Sequence, residues 1–158
     1  MVRPWWSDPS VHKERPMKTI SQQSISLQAA MCAAQGAQDC AADLGMAIAV
    51  SVVDQSGVSK LFCRMDGAAL VANEAAWKKA RTAVGFGMPT GTAWHDFIKD
   101  DPILNSGAHA LQDFILLGGG LPIYVEDVLV GAIGVAGGHY AKDEECAQAA
   151  LVALGAMT

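Results

Sequence analysis

Basic residues are scarce in this chain. It has 11 Lys and Arg against 16 Asp and Glu, which gives a formal net charge of -5 over 158 residues. A nucleic-acid interface needs several cations on one face to neutralise phosphates, and an anionic lipid surface attracts the same kind of patch. The charge balance therefore predicts no nucleic-acid partner and no membrane partner.

Long apolar runs are missing as well. No stretch reaches the roughly 18 consecutive apolar residues of a membrane-spanning helix, and the first residues carry interleaved charges where a signal peptide has its apolar core. Residues 1–19 contain three prolines and the adjacent Trp5 and Trp6 but no regular period. We expect an N-terminal extension over 1–19, either a loose terminus or an arm on a neighbouring subunit. We also expect one globular domain over 20–158 and a cytoplasmic location.

Motifs for covalent, metal or nicotinamide chemistry do not occur. The sequence has no Gly-x-Ser-x-Gly elbow, no His-Glu-x-x-His pair and no dinucleotide fingerprint. The cysteines show no C-x-x-C spacing and form no Cys/His cluster; they are Cys32, Cys40, Cys63 and Cys146. We expect them to be reduced, small apolar side chains, and we expect no metal site.

What is present is a clear alternation of helical and strand periods. The predicted elements are a helix from Ser24 or Ser26 to Gly45, strands 46–53 and 58–65, a helix 71–85, an undecided stretch 94–112, strands 121–125 and 128–136, and a helix opening at 142–145. Turn residues at 54–57 and 126–127 join the strands into two hairpins. Paired strands with helices between and after them predict an α+β fold with an antiparallel sheet flanked by helices.

Three consecutive glycines, Gly118, Gly119 and Gly120, separate apolar segments near the second hairpin. Such a run is costly in backbone entropy and indicates a sharp bend or a close approach to a ligand or another chain. Its N–H groups can form a concave nest for an anion or oxyanion. Close strand packing at a subunit interface is the alternative reading.

Two cations and a hydroxyl are candidate ligand-binding groups. Arg64 ends a strand just before Asp66, where its forked donors can hold a carboxylate or pair with a nearby acid. Lys79 and Thr82 are three residues apart on the second helix and share a face, so that both can converge on one ligand.

Two histidines are candidate acid–base groups. His139 follows the glycine pair at the end of the last strand, and His95 lies beside Trp94. An imidazole there can transfer protons near neutral pH, with Lys79 as a further catalytic candidate. The plain alternative for both histidines is a solvated loop side chain.

The ordered motifs of the chain resemble the GlcG/HbpS family of heme-degrading proteins. The matching blocks are Ala49-Val50-Ser51-Val52-Val53-Asp54-Gln55-Ser56-Gly57, Arg64-Met65-Asp66-Gly67-Ala68, Lys79-Ala80-Arg81-Thr82-Ala83, Gly118-Gly119-Gly120-Leu121-Pro122 and Val130-Gly131-Ala132-Ile133-Gly134-Val135. The resemblance spans about Ser24 to Leu154. It implies a profilin-like or PAS-like fold, a homo-oligomer such as an octamer, and heme or small organic acids as ligands.

The chain departs from the resemblance in one respect. Heme-binding members are described as using a histidine near the first helix as an iron ligand, whereas here the region carries glutamines, at 22, 23, 28, 35 and 38. Glutamine is a poor axial donor for heme iron. His12 lies upstream and could serve only if the extension folded back.

Two functions fit these observations. The first is an oligomeric small-ligand-binding protein with heme as its candidate cofactor. The second is a cofactor-independent enzyme of the tautomerase, hydratase or lyase type, acting on a small organic acid or aromatic breakdown product. In that enzyme Arg64, Lys79 and the glycine run hold a carboxylate while His139 or His95 moves a proton. A subunit that only scaffolds an assembly is a third reading.

Overall fold

A computed structural model describes residues 18–155, so the predictions for residues 1–17 lie outside it. The elements are α1 (Leu27–Asp43), β1 (Ala49–Asp54), β2 (Ser59–Arg64), α2 (Leu70–Phe86), α3 (Thr92–Ile98), α4 (Pro102–Ala110), β3 (Gly120–Val125), β4 (Val128–Ala136) and α5 (Tyr140–Leu154). None of the helices in this range is long and apolar enough to cross a membrane.

The strands form one antiparallel sheet in the order β2-β1-β4-β3, which confirms the predicted α+β class. Both hairpins are present. The β1–β2 turn is closed by Asp54, whose Oδ1 accepts hydrogen bonds from the N–H groups of Ser56 and Val58. The β3–β4 turn uses Glu126 and Asp127, both at positive φ, the geometry that matches the twist of a two-residue hairpin.

Helices cover both faces of the sheet. On one face α1 and α5 pack against Val50, Val52, Ile133 and Val135 to form the main core. On the other face α2 lies across β1 and β4, where small residues let it approach closely. A Cβ placed on Gly134 would collide with the carbonyl oxygen of Ala76, so glycine is required at this crossing.

Apart from shifts of a residue or so at other element ends, the structure differs from the sequence prediction in three places. Strand β1 begins three residues later, because the N–H of Met46 donates to the carbonyl of Ala41 and still belongs to the end of α1. Helix α5 begins at Tyr140, because the preceding His139 caps it. The undecided stretch 94–112 holds α4 and all of α3 except its first two residues.

A cluster of aromatic rings holds α3 in place. Trp94 is 1% exposed, and its ring centroid lies 4.4 Å from that of Phe86, 5.4 Å from Phe97 and 5.5 Å from Phe114. These are edge-to-face contacts, the preferred geometry of aromatic pairs. Helix α3 is therefore anchored by Trp94, and the next residue, His95, points to the surface.

Candidate functional site

A cavity of about 280 Å³ lies where α3, the segment before β3 and the start of α5 meet. Its walls are formed by Gly91, Thr92, His95, Leu116, Leu117, Gly118 and Tyr140. The lining is mainly apolar, with one imidazole, one phenol and one threonine hydroxyl. Two of the predicted site residues, His95 and Gly118, therefore share one cavity.

Backbone hydrogen bonds fix the floor of this cavity. The N–H of Gly91 donates to Leu116 O at 2.7 Å, and the N–H of Thr90 donates to Gly120 O at 2.9 Å. In return the N–H of Gly120 donates to the buried Thr90 Oγ1 at 2.8 Å. These hydrogen bonds hold the segment before α3 against the segment that contains the glycine run.

The glycine run is glycine because three chain segments meet there. A Cβ on Gly118 would lie 2.9 Å from Glu144 Oε2 and 3.1 Å from Tyr140 Cδ2. Gly119 has φ +111°, and its Cβ would lie 2.6 Å from Val135 O. The run therefore serves close packing within one subunit, and the Glu144 carboxylate beside Gly118 opposes an anion at that point.

His95 and Tyr140 are the two polar ring side chains of the cavity, beside the Thr92 hydroxyl. The His95 side chain is 58% exposed, and its Nδ1 lies 3.5 Å from Asp96 Oδ1. The Lys99 ammonium, 2.8 Å from the same oxygen, holds the pKa of Asp96 below its ordinary value, with a smaller contribution from His95. Asp96 is therefore a carboxylate that faces the His95 ring.

Lys79 lies inside the protein, away from the solvent side of the cavity. Its Nζ donates to Asp143 Oδ2 at 2.7 Å and to Val135 O at 2.9 Å, and its side chain is 2% exposed. Burial lowers the pKa of Lys79, while the hydrogen bond and charge of Asp143 raise it. The ion pair joins α2 to the first turn of α5, directly behind Gly119.

The other predicted site residues lie apart from the cavity. Thr82 is buried and anchors the loop before β3: its Oγ1 donates to Asp113 O at 3.3 Å and accepts from Ile115 N–H at 3.0 Å. Arg64 is exposed at the end of the edge strand β2, and no ion pair involving it occurs within residues 18–155. His139 is exposed, and its Nδ1 accepts from Ala141 N–H at 3.3 Å as the N-cap of α5.

Sequence reasoning missed Tyr140 and the Leu116–Leu117 pair. These residues carry no motif, and their partners, Gly91 and Thr92, are separated from them by tens of residues in the chain. The only available signal was their position next to residues already singled out, His139 and Gly118. Within the described range no cluster of three or more His, Cys, Asp or Glu side chains is arranged to hold a metal ion.

The family model described as "Haem degrading protein HbpS-like" matches residues 25–152. This chain belongs to the HbpS-like family. The match covers α1 to α5 except the last two residues of α5, and so includes both sides of the cavity.

Curated relatives agree with this assignment. The chain is 32% identical over 125 residues to the corrinoid adenosyltransferase PduO of Salmonella typhimurium, a match that covers 75% of this chain but only 35% of that protein. The chain therefore corresponds to about a third of the PduO length. An uncharacterised 15.0 kDa protein of Citrobacter freundii is 33% identical over 133 residues, covering 81% of this chain and 90% of that protein.

Solved structures show the same fold. Klebsiella pneumoniae protein ORFY superposes with a TM-score of 0.80 at 30% identity, covering 89% of this chain and 97% of that one. HbpS superposes with a TM-score of 0.78 at 31% identity, over 88% and 96% of the two chains. A heme complex of PduOC gives 0.74 at 28% identity, over 85% and 98%.

Proposed function

We propose that this HbpS-like chain binds a heme-type macrocycle at the cavity between α3, the Leu116–Gly118 segment and α5. The observation that carries the proposal is the pairing of His95 and Tyr140 on one mainly apolar cavity. Imidazole and phenolate are both axial ligands of heme iron in proteins, whereas the glutamines of α1 are poor donors. The heme complex of the related PduOC supports the same ligand class.

The surroundings suit an imidazole that binds iron. A carboxylate near one ring nitrogen favours the proton on that nitrogen and leaves the other as a lone-pair donor. Asp96 has this relation to Nδ1 of His95, so Nε2 is the ligating atom in our proposal. A bound heme would supply an iron centre for redox chemistry, and Leu116 and Leu117 would supply an apolar contact for the ring.

The cavity is small for a whole macrocycle. Its 280 Å³ lies just below the roughly 300–1,000 Å³ typical of small-ligand sites. Leu117, 50% exposed, and Tyr140, 40% exposed, would extend the contact surface for a bound macrocycle beyond the cavity itself.

The organic-acid enzyme has less support at this cavity. A carboxylate substrate needs cations, yet no Lys or Arg lines the cavity in the part of the chain that the structure describes. Lys79 is already paired with Asp143, and the Gly120 N–H is already bonded to Thr90. A carboxylate at Gly118 would also meet Glu144.

We also propose that the chain forms a homo-oligomer. Several large apolar side chains are exposed in the single subunit: Phe62 is 48%, Val71 70%, Leu70 81% and Ile103 85% exposed. Both edge strands, β2 and β3, also carry exposed apolar residues, Val125 among them. Surfaces of this kind are typical of subunit contacts.

The proposal is tested by titrating the purified chain with hemin and recording the Soret band. We expect a saturable shift with a fixed stoichiometry. The His95→Ala variant should change the position or intensity of the band, because the axial donor is lost, and Tyr140→Phe reports whether the phenol is the second donor. His109→Ala is the matched control, since His109 is an exposed histidine on α4 that does not line the cavity.

Two further results would decide against this site. If His95→Ala and His109→Ala both bind hemin with the wild-type spectrum, the ligand is elsewhere. A loss of the band in His12→Ala alone would assign the iron to the N-terminal extension, and an absent Soret shift in the wild type would reject heme altogether.

A further inference from the structure

Helices α1 and α5 pack against each other at unusually short range. A Cβ on Gly36 would lie 2.6 Å from Ala153 Cβ and 3.1 Å from Ala149 O, and the Cys32 thiol donates to Ala153 O at 3.5 Å. The numbers of residues that meet across the interface therefore add to between 185 and 189, which defines an antiparallel pair of helices. One turn further along, this register places Cys40 opposite Cys146.

Both thiols at this position are free. They are near enough for Cys40 to contribute to the raised pKa of Cys146. Cys146 is fully buried, whereas Cys40 is partly exposed at the edge of the main core. Cys40 is therefore the residue of the pair that a small oxidant reaches more easily, and Cys146 is shielded in the core.

We propose that Cys40 and Cys146 form an oxidisable dithiol, in which hydrogen peroxide converts the pair into a disulfide that links α1 to α5. The inference does not depend on the heme proposal. It requires only that two sulfurs placed opposite each other by the helix register approach to bonding distance, between helices whose small side chains leave their backbones close together.

The chemistry proceeds in two steps. The Cys40 thiolate attacks one oxygen of hydrogen peroxide, the O–O bond breaks, and the departing hydroxide takes up a proton to leave as water; Cys40 becomes a sulfenic acid. The Cys146 sulfur then attacks the Cys40 sulfur, the S–O bond breaks, and the hydroxyl leaves as water with the Cys146 proton. Two thiols lose two electrons and two protons, and one peroxide is reduced to two waters.

Burial supports Cys40 as the first reacting sulfur. Burial is the main cause that raises the pKa of the Cys146 thiol to about 12, and the neighbouring Cys40 adds to it, so Cys146 keeps its proton at neutral pH. Cys146 is therefore the sulfur that reacts second, after Cys40 has met the peroxide.

The test is peptide mapping of the full chain after treatment with a small molar excess of hydrogen peroxide and blocking of remaining thiols with iodoacetamide. Trypsin yields peptides 19–60 and 143–158, because no Lys or Arg occurs inside either range. We expect these peptides to be joined, with the mass lower by two hydrogen atoms, and to separate on reduction. Cys32 shares peptide 19–60 with Cys40, so the mapping is repeated with Cys32→Ser.

Matched variants show which cysteines form the disulfide. The link should persist in Cys32→Ser and Cys63→Ser and disappear in Cys40→Ser. The oxidised wild type should also unfold at a higher urea concentration than the reduced one, since the cross-link restricts the unfolded chain. The proposal is overturned if all four thiols remain free after peroxide. It is equally overturned if the link runs through Cys32 or Cys63, or only between two chains.

Discussion

Lys79 Nζ and Asp143 Oδ2 are 2.7 Å apart in the interior, and each partner also holds the backbone beside the cavity. Lys79 donates to Val135 O at the end of β4, and Asp143 Oδ1 accepts from the Gly138 N–H at 3.0 Å. The pair therefore sets the turn between β4 and α5, from which Tyr140 enters the cavity. The sequence suggested Lys79 as a ligand-binding cation, but in the structure it stabilises the backbone beside the cavity.

Removing one member of this pair should be costly. We expect Lys79→Met to lower the free energy of unfolding by about 3–5 kcal/mol, because it leaves the Asp143 carboxylate buried without a counter-charge. Adding Asp143→Asn to that variant should restore a large part of the loss, since the charge is removed and an oxygen remains for Gly138. Urea denaturation followed by circular dichroism measures both values.

Lys78→Met provides the comparison for this experiment. It breaks the surface ion pair between Lys78 and Glu74, which is 2.6 Å long but solvated, so its effect should be a small fraction of that of Lys79→Met. Equal losses in the two variants, or no recovery in the double variant, would show that the buried pair does not carry the stability assigned to it.

Two glycines, Gly119 in the glycine run and Gly85 on α2, should respond differently to an added methyl group. Gly119→Ala combines a positive φ with a collision against the Val135 carbonyl, so we expect a loss of about 3 kcal/mol or more in unfolding free energy. Gly85→Ala, on an open part of α2 with nothing within 4 Å of the added carbon, should gain about 0.5–1 kcal/mol. Both values come from urea denaturation.

Gly118→Ala separates binding from stability. Its added carbon would lie 2.9 Å from Glu144 Oε2, the end of a flexible side chain, and 3.1 Å from Tyr140 Cδ2. The nearest backbone atom, Tyr140 O, is at an ordinary contact distance of 3.5 Å, so the variant should fold. Because the methyl group enters the cavity wall, hemin affinity should fall by about tenfold, equal to ~1.4 kcal/mol. Hemin titration measures it, and unchanged affinity would place the ligand away from Gly118.

Stability should decline at alkaline pH through Cys146. Burial first, and Cys40 second, raise the pKa of this thiol from 9.0 to about 12 in the folded protein. A group whose pKa is raised on folding contributes its full stability below the unfolded pKa and loses it as pH rises through the folded pKa. The free energy of unfolding should therefore fall between pH 9 and 12.

The Cys146→Ala variant isolates the contribution of this thiol to the pH dependence of the unfolding free energy. Its absolute stability can differ from that of the wild type, but its unfolding free energy should fall less steeply over the same pH interval. Urea denaturation at a series of pH values gives both slopes, and parallel slopes would contradict the assignment to Cys146.

The assembly is tested through Leu70, which is 81% exposed in the first turn of α2. A glutamate is well tolerated at a helix N-terminus, so Leu70→Glu should fold. We expect the wild type to show an oligomeric mass by light scattering at micromolar concentration and Leu70→Glu to show a smaller one. A monomeric wild type would reject the oligomer, and an unchanged mass in the variant would remove Leu70 from the contact.

Much of the architecture follows from local patterns that the chain carries by itself. Ser26 caps α1 through its hydroxyl, Asp54 closes the first hairpin, and the alternation along β2 turns Cys63 inward and Arg64 outward, as the periodicity predicts. These features depend on hydrogen bonds and side-chain directions within a few residues, so the sequence alone determines the α+β fold and the order of its elements.

Only the tertiary structure decided which side chains share a site. Lys79 and Thr82 lie on one helix face, as expected, but that face is buried: Asp143, 64 residues away, neutralises the first, and the loop at Asp113–Ile115 occupies the second. The cavity brings His95 to Tyr140 across 45 residues of chain. Whether a polar side chain faces a protein partner or a ligand depends on how distant segments of the chain pack together. Local periodicity carries no information about that packing.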